Sequence, residues 1–220
     1  MRLHVVEQGS GPAIVFIHGM GTSSASWTRC MELLAPTHHV LAVDLLGHGA
    51  SPVPDDPAEY TRDGALDDID ALLATLPPAV LVGHSLGGYL ALAHAATRPG
   101  VACGIVVINT GPGFRDPDKR DAWNERSRRN AARFGVPVQA AELNLQHDSV
   151  VMDRLADMQT PTLVFAGSDD RPEFTASGQY LERKMPNARL VVIAGGAHDM
   201  HEDAHAEPVA TAIAEFVASI

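Results

Sequence analysis

The stretch Ala79-Val80-Leu81-Val82-Gly83-His84-Ser85-Leu86-Gly87-Gly88 decides how the rest of the chain is read. Residues 79–82 form a short apolar run closed by glycine, the pattern of a buried strand, and an apolar, helix-like stretch continues to Thr97. Between the two stands Gly-x-Ser-x-Gly. A turn of this kind is strained: it lifts the Ser85 hydroxyl above the end of the sheet and aims the backbone N–H of the next residue, Leu86, at an oxygen that gains charge during attack on a carbonyl. Gly83 and Gly87 are small because side chains there would collide across the turn. Read alone, the motif also fits a glycine-rich helix start that packs or holds an anion. The strand-turn-helix setting selects the nucleophile reading of Ser85.

Outward from this point, short Val- and Ile-rich runs recur at residues 13–17, 40–43, 105–108, 162–166 and 190–193. Between runs, Leu66, Ile69, Leu72, Leu73 and Leu76 fall at helical spacing, while Asp67, Asp68 and Asp70 point elsewhere. Pro208 suits the first turn of a last helix that places Val209, Ile213, Phe216, Val217 and Ile220 on one face. Alternation of this kind predicts βαβ crossovers, hence an α/β fold: a mostly parallel sheet with helices on both faces and ligands at the carboxyl ends of the strands. One domain over residues 1–220 is expected. The rhythm breaks at about 111–157, where Pro112, Gly113, Pro117 and Pro137 punctuate helix-like pieces without a strand pattern, which predicts a short helical lid.

The 220 residues are 45% hydrophobic and 20% charged, ordinary for a globular chain. A formal charge of −11 disfavours a nucleic-acid partner, which needs many Lys and Arg contacts. Cys30 and Cys103 are too few for a disulfide framework. No run approaches the roughly eighteen apolar residues of a membrane span, and the opening residues, with Arg2, His4 and Glu7, do not read as a signal peptide, so the expected compartment is the cytoplasm. There is no dinucleotide fingerprint, no Cys/His cluster at metal spacing and no phosphate loop; neither cofactor nor metal is expected.

The order of these motifs resembles the α/β-hydrolase superfamily over essentially the whole chain. His18-Gly19-Met20-Gly21 is similar to the family's His-Gly-x turn, and the resemblance implies that the Met20 N–H joins that of Leu86 in an oxyanion hole. Asp44-Leu45-Leu46-Gly47-His48-Gly49-Ala50-Ser51 is similar to a segment of the esterase-like and C–C-hydrolase-like branches, where it shapes a turn beside the site. The resemblance also implies that the lid is inserted after the sixth strand. Serine at the elbow disfavours the epoxide-hydrolase-like and dehalogenase-like branches, which carry aspartate there.

A serine hydroxyl needs a base, and the base needs an acid to orient it, in the chain order Ser, acid, His. His198 follows the last strand after Gly195-Gly196-Ala197, similar to the family's Gly-x-Gly-His-like loop except for Ala197. His201 and His205 read as surface residues, His18 and His84 as structural hydrogen-bonders, and His94 as a core residue. The run 162–166 leads into Gly167-Ser168-Asp169-Asp170-Arg171-Pro172, which offers two adjacent acids. The family's Gly-x-x-Asp spacing selects Asp170 over Asp169, and Asn109, one strand earlier, cannot serve as an anionic orienter.

Phe114, Trp123, Phe134 and Met152 are the large apolar side chains of the insert, with Phe114 and Trp123 the candidate substrate contacts. Between Phe114 and Gly135 stand seven Lys or Arg against four Asp or Glu, a positive island in which Arg128 and Arg129 are candidates for steering anionic substrates. The expectation is a serine hydrolase that cleaves a small ester-like substrate through an acyl-enzyme. Thioester hydrolysis, C–C bond hydrolysis, a cofactor-free lyase and perhydrolase chemistry use the same triad. A receptor-like binding module is the non-enzymatic alternative.

Overall fold

The computed structural model of the chain describes the backbone of residues 2–202 and 204–220. Seven strands lie in one sheet: β1 Val5–Gln8, β2 Ala13–Ile17, β3 His39–Val43, β4 Ala79–His84, β5 Gly104–Ile108, β6 Thr162–Gly167 and β7 Ala188–Ile193, in the spatial order β1-β3-β2-β4-β5-β6-β7. All neighbours pair in parallel except β1, which runs antiparallel to β3. The sequence pattern did not announce β1, because Val-Val-Glu-Gln is four residues at a sheet edge, half-buried at one end and exposed at the other.

Strand side chains alternate between the faces. Val15, Leu81 and Val107 join one apolar cluster, whereas Phe16, Val82 and Val106 join the other, so the central strands are apolar on both faces. Helices α2 Arg62–Leu73, α3 Leu86–Thr97 and α6 Pro172–Lys184 cover the first face, and α1 Thr28–Leu34 and α7 Ala206–Ala218 the second. The expected stripe Leu66, Ile69, Leu72 and Leu73 is buried on α2, which Thr61 caps by accepting from the Gly64 N–H, while Leu76 falls beyond the helix end. Ile220 lies outside α7 and is exposed.

The stretch between β5 and β6 holds α4 Pro117–Asn130, three 3₁₀ turns and the short α5 Val150–Arg154, with no strand among its described residues. It follows the fifth strand and not the sixth, because the sequence before Ala13 forms a single short strand. From β2 the chain steps outward to β3, but from β4 it proceeds the other way through β5, β6 and β7. Adjacent β2 and β4 therefore flank the point where the winding reverses, and a crevice opens at their carboxyl ends.

Candidate active site

Ser85 stands immediately past β4 with φ 50° and ψ −110°, a left-handed backbone that a non-glycine residue adopts only when its surroundings enforce it. The enforcement is visible: the Ser85 N–H donates to the Ile108 carbonyl at 3.0 Å, and the Ser85 carbonyl accepts from the Thr110 hydroxyl at 2.7 Å and the Tyr89 N–H at 3.0 Å. A Cβ on Gly83 would run into the Gly87 carbonyl, and one on Gly87 into that of Ile17. Leu86 opens α3, so its N–H has no acceptor within the helix.

Facing this elbow is the turn after β2. The Gly19 carbonyl accepts from the His18 ring at 2.7 Å, the Thr22 hydroxyl at 3.0 Å and the Thr22 N–H at 3.3 Å, which holds Met20 at the edge of the cleft. His18 is buried, and its Nε2 accepts from the Leu45 N–H at 3.0 Å. That bond fixes the neutral tautomer, with the proton on Nδ1. Burial, reinforced by the neighbouring His48, pushes its pKa from 6.5 down to about 4. Below pH 6.5 the unfolded chain takes up this proton and the native one does not, so stability is complete above 6.5 and falls as pH drops toward 4, by about 3 kcal/mol for this residue. Burial lowers the pKa of His48, His84 and His94 too, in the same direction. Urea midpoints should therefore fall between pH 7.5 and 4.5, and His18→Gln should lose part of that slope; a slope identical in the variant would refute the assignment.

Asp44 organises the next turn. Burial opposes its ionisation, but N–H donors from Ala50 and Ser24 outweigh it and hold the carboxyl below its ordinary range. This matches the turn-shaping part expected for the segment.

His198 and Asp170 meet at the ends of β7 and β6. His198 Nδ1 lies 2.7 Å from Asp170 Oδ2, while Asp170 Oδ1 accepts from the Arg171 N–H at 2.7 Å. The Asp170 side chain is 4% exposed, whereas Asp169 faces solvent and pairs with the Ser168 hydroxyl. The His198 ring sits between His84 and Phe174, at centroid distances of 4.7 Å and 4.8 Å. Ser85, Met20, His198 and Asp170 line one cleft, with Leu86 in the cavity that adjoins it.

Two histidines depart from expectation. His201 is fully buried, its ring packed at a tilt between Trp27 at 4.2 Å and His84 at 4.4 Å, because the loop after β7 turns inward before α7. His84 packs ring against ring, and neither of its ring nitrogens has a hydrogen-bond partner among the described residues. His94 is the core residue expected, paired with Asp70 at 2.8 Å.

Sequence reasoning undervalued Asn109. With φ 47°, it donates to the carbonyls of Ala197 and His198 at 3.0 Å and 2.8 Å and accepts from the Gly167 N–H at 2.9 Å. One amide thus ties the acid loop to the histidine loop. The signal was present: a polar Asn109-Thr110 pair directly after an apolar strand.

A cavity of about 300 Å³ opens beside Ser85, walled by Leu86, Phe114, Trp123 and Phe174. Trp123 is anchored by its Nε1–H on the Asn144 carbonyl at 2.8 Å. Phe134 borders the outer cleft, whereas Met152 packs into the core. Arg128 and Arg129 do not face the cavity; they pair with Glu142 and Glu125 on the outer side of α4.

Residues 14–212 match the model of the Alpha/beta hydrolase family. The chain is 31% identical over 259 aligned positions to a pimeloyl-[acyl-carrier protein] methyl ester esterase of Xanthomonas oryzae pv. oryzae, covering 99% of this chain and 100% of that one. It is 26% identical to a 2-(acetamidomethylene)succinate hydrolase of Mesorhizobium japonicum, over 92% of this chain and 87% of the other. A malate-bound thermophilic esterase from Thermogutta terrifontis superposes with a TM-score of 0.81 at 25% identity, covering 99% and 93% of the two chains. By its sequence, its sheet order and the turns that sheet carries, this chain belongs to the alpha/beta hydrolase family.

Proposed function

We propose that residues 1–220 act as one serine hydrolase domain that cleaves a small ester through an acyl-enzyme. The observation that carries this reading is the strained Ser85 elbow opening on the same cleft as a His198–Asp170 pair 2.7 Å apart. Asp170 holds the proton on Nδ1 of His198, which leaves Nε2 to take the proton of Ser85 as its oxygen attacks the ester carbonyl. The oxyanion is held by the N–H groups of Met20 and Leu86, whose donors are in place before the charge develops and so need no reorganisation. His198 then protonates the departing alcohol, and water repeats the sequence to release the acid. The stretch 111–157 acts as the lid, with Phe114 and Trp123 against the acyl group. A cavity of about 300 Å³ suits a small acyl group, and the esterase named among the relatives supports an ester over a thioester.

A fluorophosphonate probe tests this directly, because only an activated serine beside a working oxyanion hole is phosphonylated. Mass spectrometry should place the adduct on Ser85. A folded protein that stays unlabelled would instead be the binding module.

A further inference from the structure

We propose that the cleft selects esters bearing a second, free carboxylate, and that Arg126 and Arg171 recognise it. This rests on the hydrolase reading and names its substrate class. Arg126, on α4, and Arg171, at the head of α6, both line the inner cavity and the outer cleft together with Ser85. Each guanidinium lies over an aromatic ring of the wall: Arg126 Cζ is 5.0 Å from the Trp123 centroid, and Arg171 Cζ is 4.6 Å from that of Phe174. A guanidinium held against a ring keeps a planar fork of N–H donors for a carboxylate, which it binds with both oxygens.

Neither of these two cleft-lining arginines has a carboxylate partner among the described residues. Arg115, Arg128 and Arg129 are paired with Asp153, Glu142 and Glu125, and Arg120 donates to the carbonyls of Phe114 and Arg115. In a chain of net charge −11, two unspent cations therefore stand on different elements around the cleft that holds Ser85. Arg133 adds a third at the outer cleft; the acids facing this space are Glu173 and Asp199, besides Asp170, which is engaged with His198. The apolar wall between Ser85 and the arginines takes the methylene chain of a half-ester.

The test compares mono-p-nitrophenyl glutarate with p-nitrophenyl pentanoate, which share a five-carbon acyl chain and differ in the terminal charge. The wild type should favour the half-ester by about tenfold or more in kcat/KM, and the preference should shrink as salt rises and the Debye length falls from about 10 Å at 0.1 M to about 3 Å at 1 M. In Arg126→Gln and Arg171→Gln the ratio of the two kcat/KM values should each drop about tenfold, mainly through KM of the half-ester, as expected for loss of one charge-assisted contact. Arg128→Gln should keep the ratio. Equal turnover of both esters, or losses in the two variants that are the same for both, would overturn the carboxylate site.

A binding measurement separates this from the hydrolase reading: calorimetric titration of Ser85→Ala with monomethyl glutarate and with methyl pentanoate. Tighter binding of the half-ester that disappears when both arginines are replaced supports the anion site even if no ester is turned over. Turnover of both esters without discrimination leaves the hydrolase and removes the anion site.

Discussion

Ester turnover by Ser85→Ala should fall by about 10⁵ to 10⁶ with the fold intact, the loss expected when an activated nucleophile is removed. The fold should survive for a geometric reason. The elbow is enforced by backbone bonds from Ser85 to Ile108 and Tyr89 and by the Thr110 hydroxyl on the Ser85 carbonyl, none of which involves Oγ. Alanine keeps the β-carbon and meets the same backbone requirement at φ 50° as serine does. The measurement is kcat on a p-nitrophenyl ester beside a thermal melt. A variant that melts like the wild type yet keeps more than about a tenth of its turnover would remove Ser85 from the mechanism.

The second large effect separates two neighbours. Asp170→Asn should cost about 10⁴ in kcat, because an amide that donates its N–H toward His198 Nδ1 stabilises the tautomer that cannot accept the serine proton, and the charge that steadies the imidazolium is lost. Asp169→Asn should cost less than about tenfold, since that side chain faces solvent and meets only the Ser168 hydroxyl, 3.0 Å away. The same pair of variants assayed for half-ester preference should show no selective loss, which distinguishes the acid from its neighbour Arg171. Were Asp169→Asn the more damaging change, the orienting role would pass to Asp169.

Much of the architecture was readable from local pattern. Apolar runs of four or five residues, such as 79–82, alternate with amphipathic stretches, and a short Val- and Ile-rich run that is apolar on both faces suits a strand covered on both sides. The elbow was equally plain, because the glycines around Ser85 answer to atoms close in sequence or on the adjoining strand: Gly83 meets Gly87, and Gly87 meets Ile17. Short-range sterics leave a residue-by-residue mark.

The remaining features depend on where distant segments meet. Asp169 and Asp170 are chemically identical, and only the approach of the β7 loop puts Asp170 within 2.7 Å of His198. Asn109 ties the acid and histidine loops together across 58 and 89 residues of sequence, a separation no periodicity encodes. His201 looks like a solvated tail residue until Trp27 and His84 close around it. The charge island of 114–135 is visible as composition, yet composition weighs all its arginines alike; helix phase turns Arg128 and Arg129 outward to Glu142 and Glu125 and Arg126 toward the cleft. Hydrophobic spacing constrains which face a strand or helix buries. Side-chain partners across the cleft follow instead from the crossing of elements, which packing alone selects.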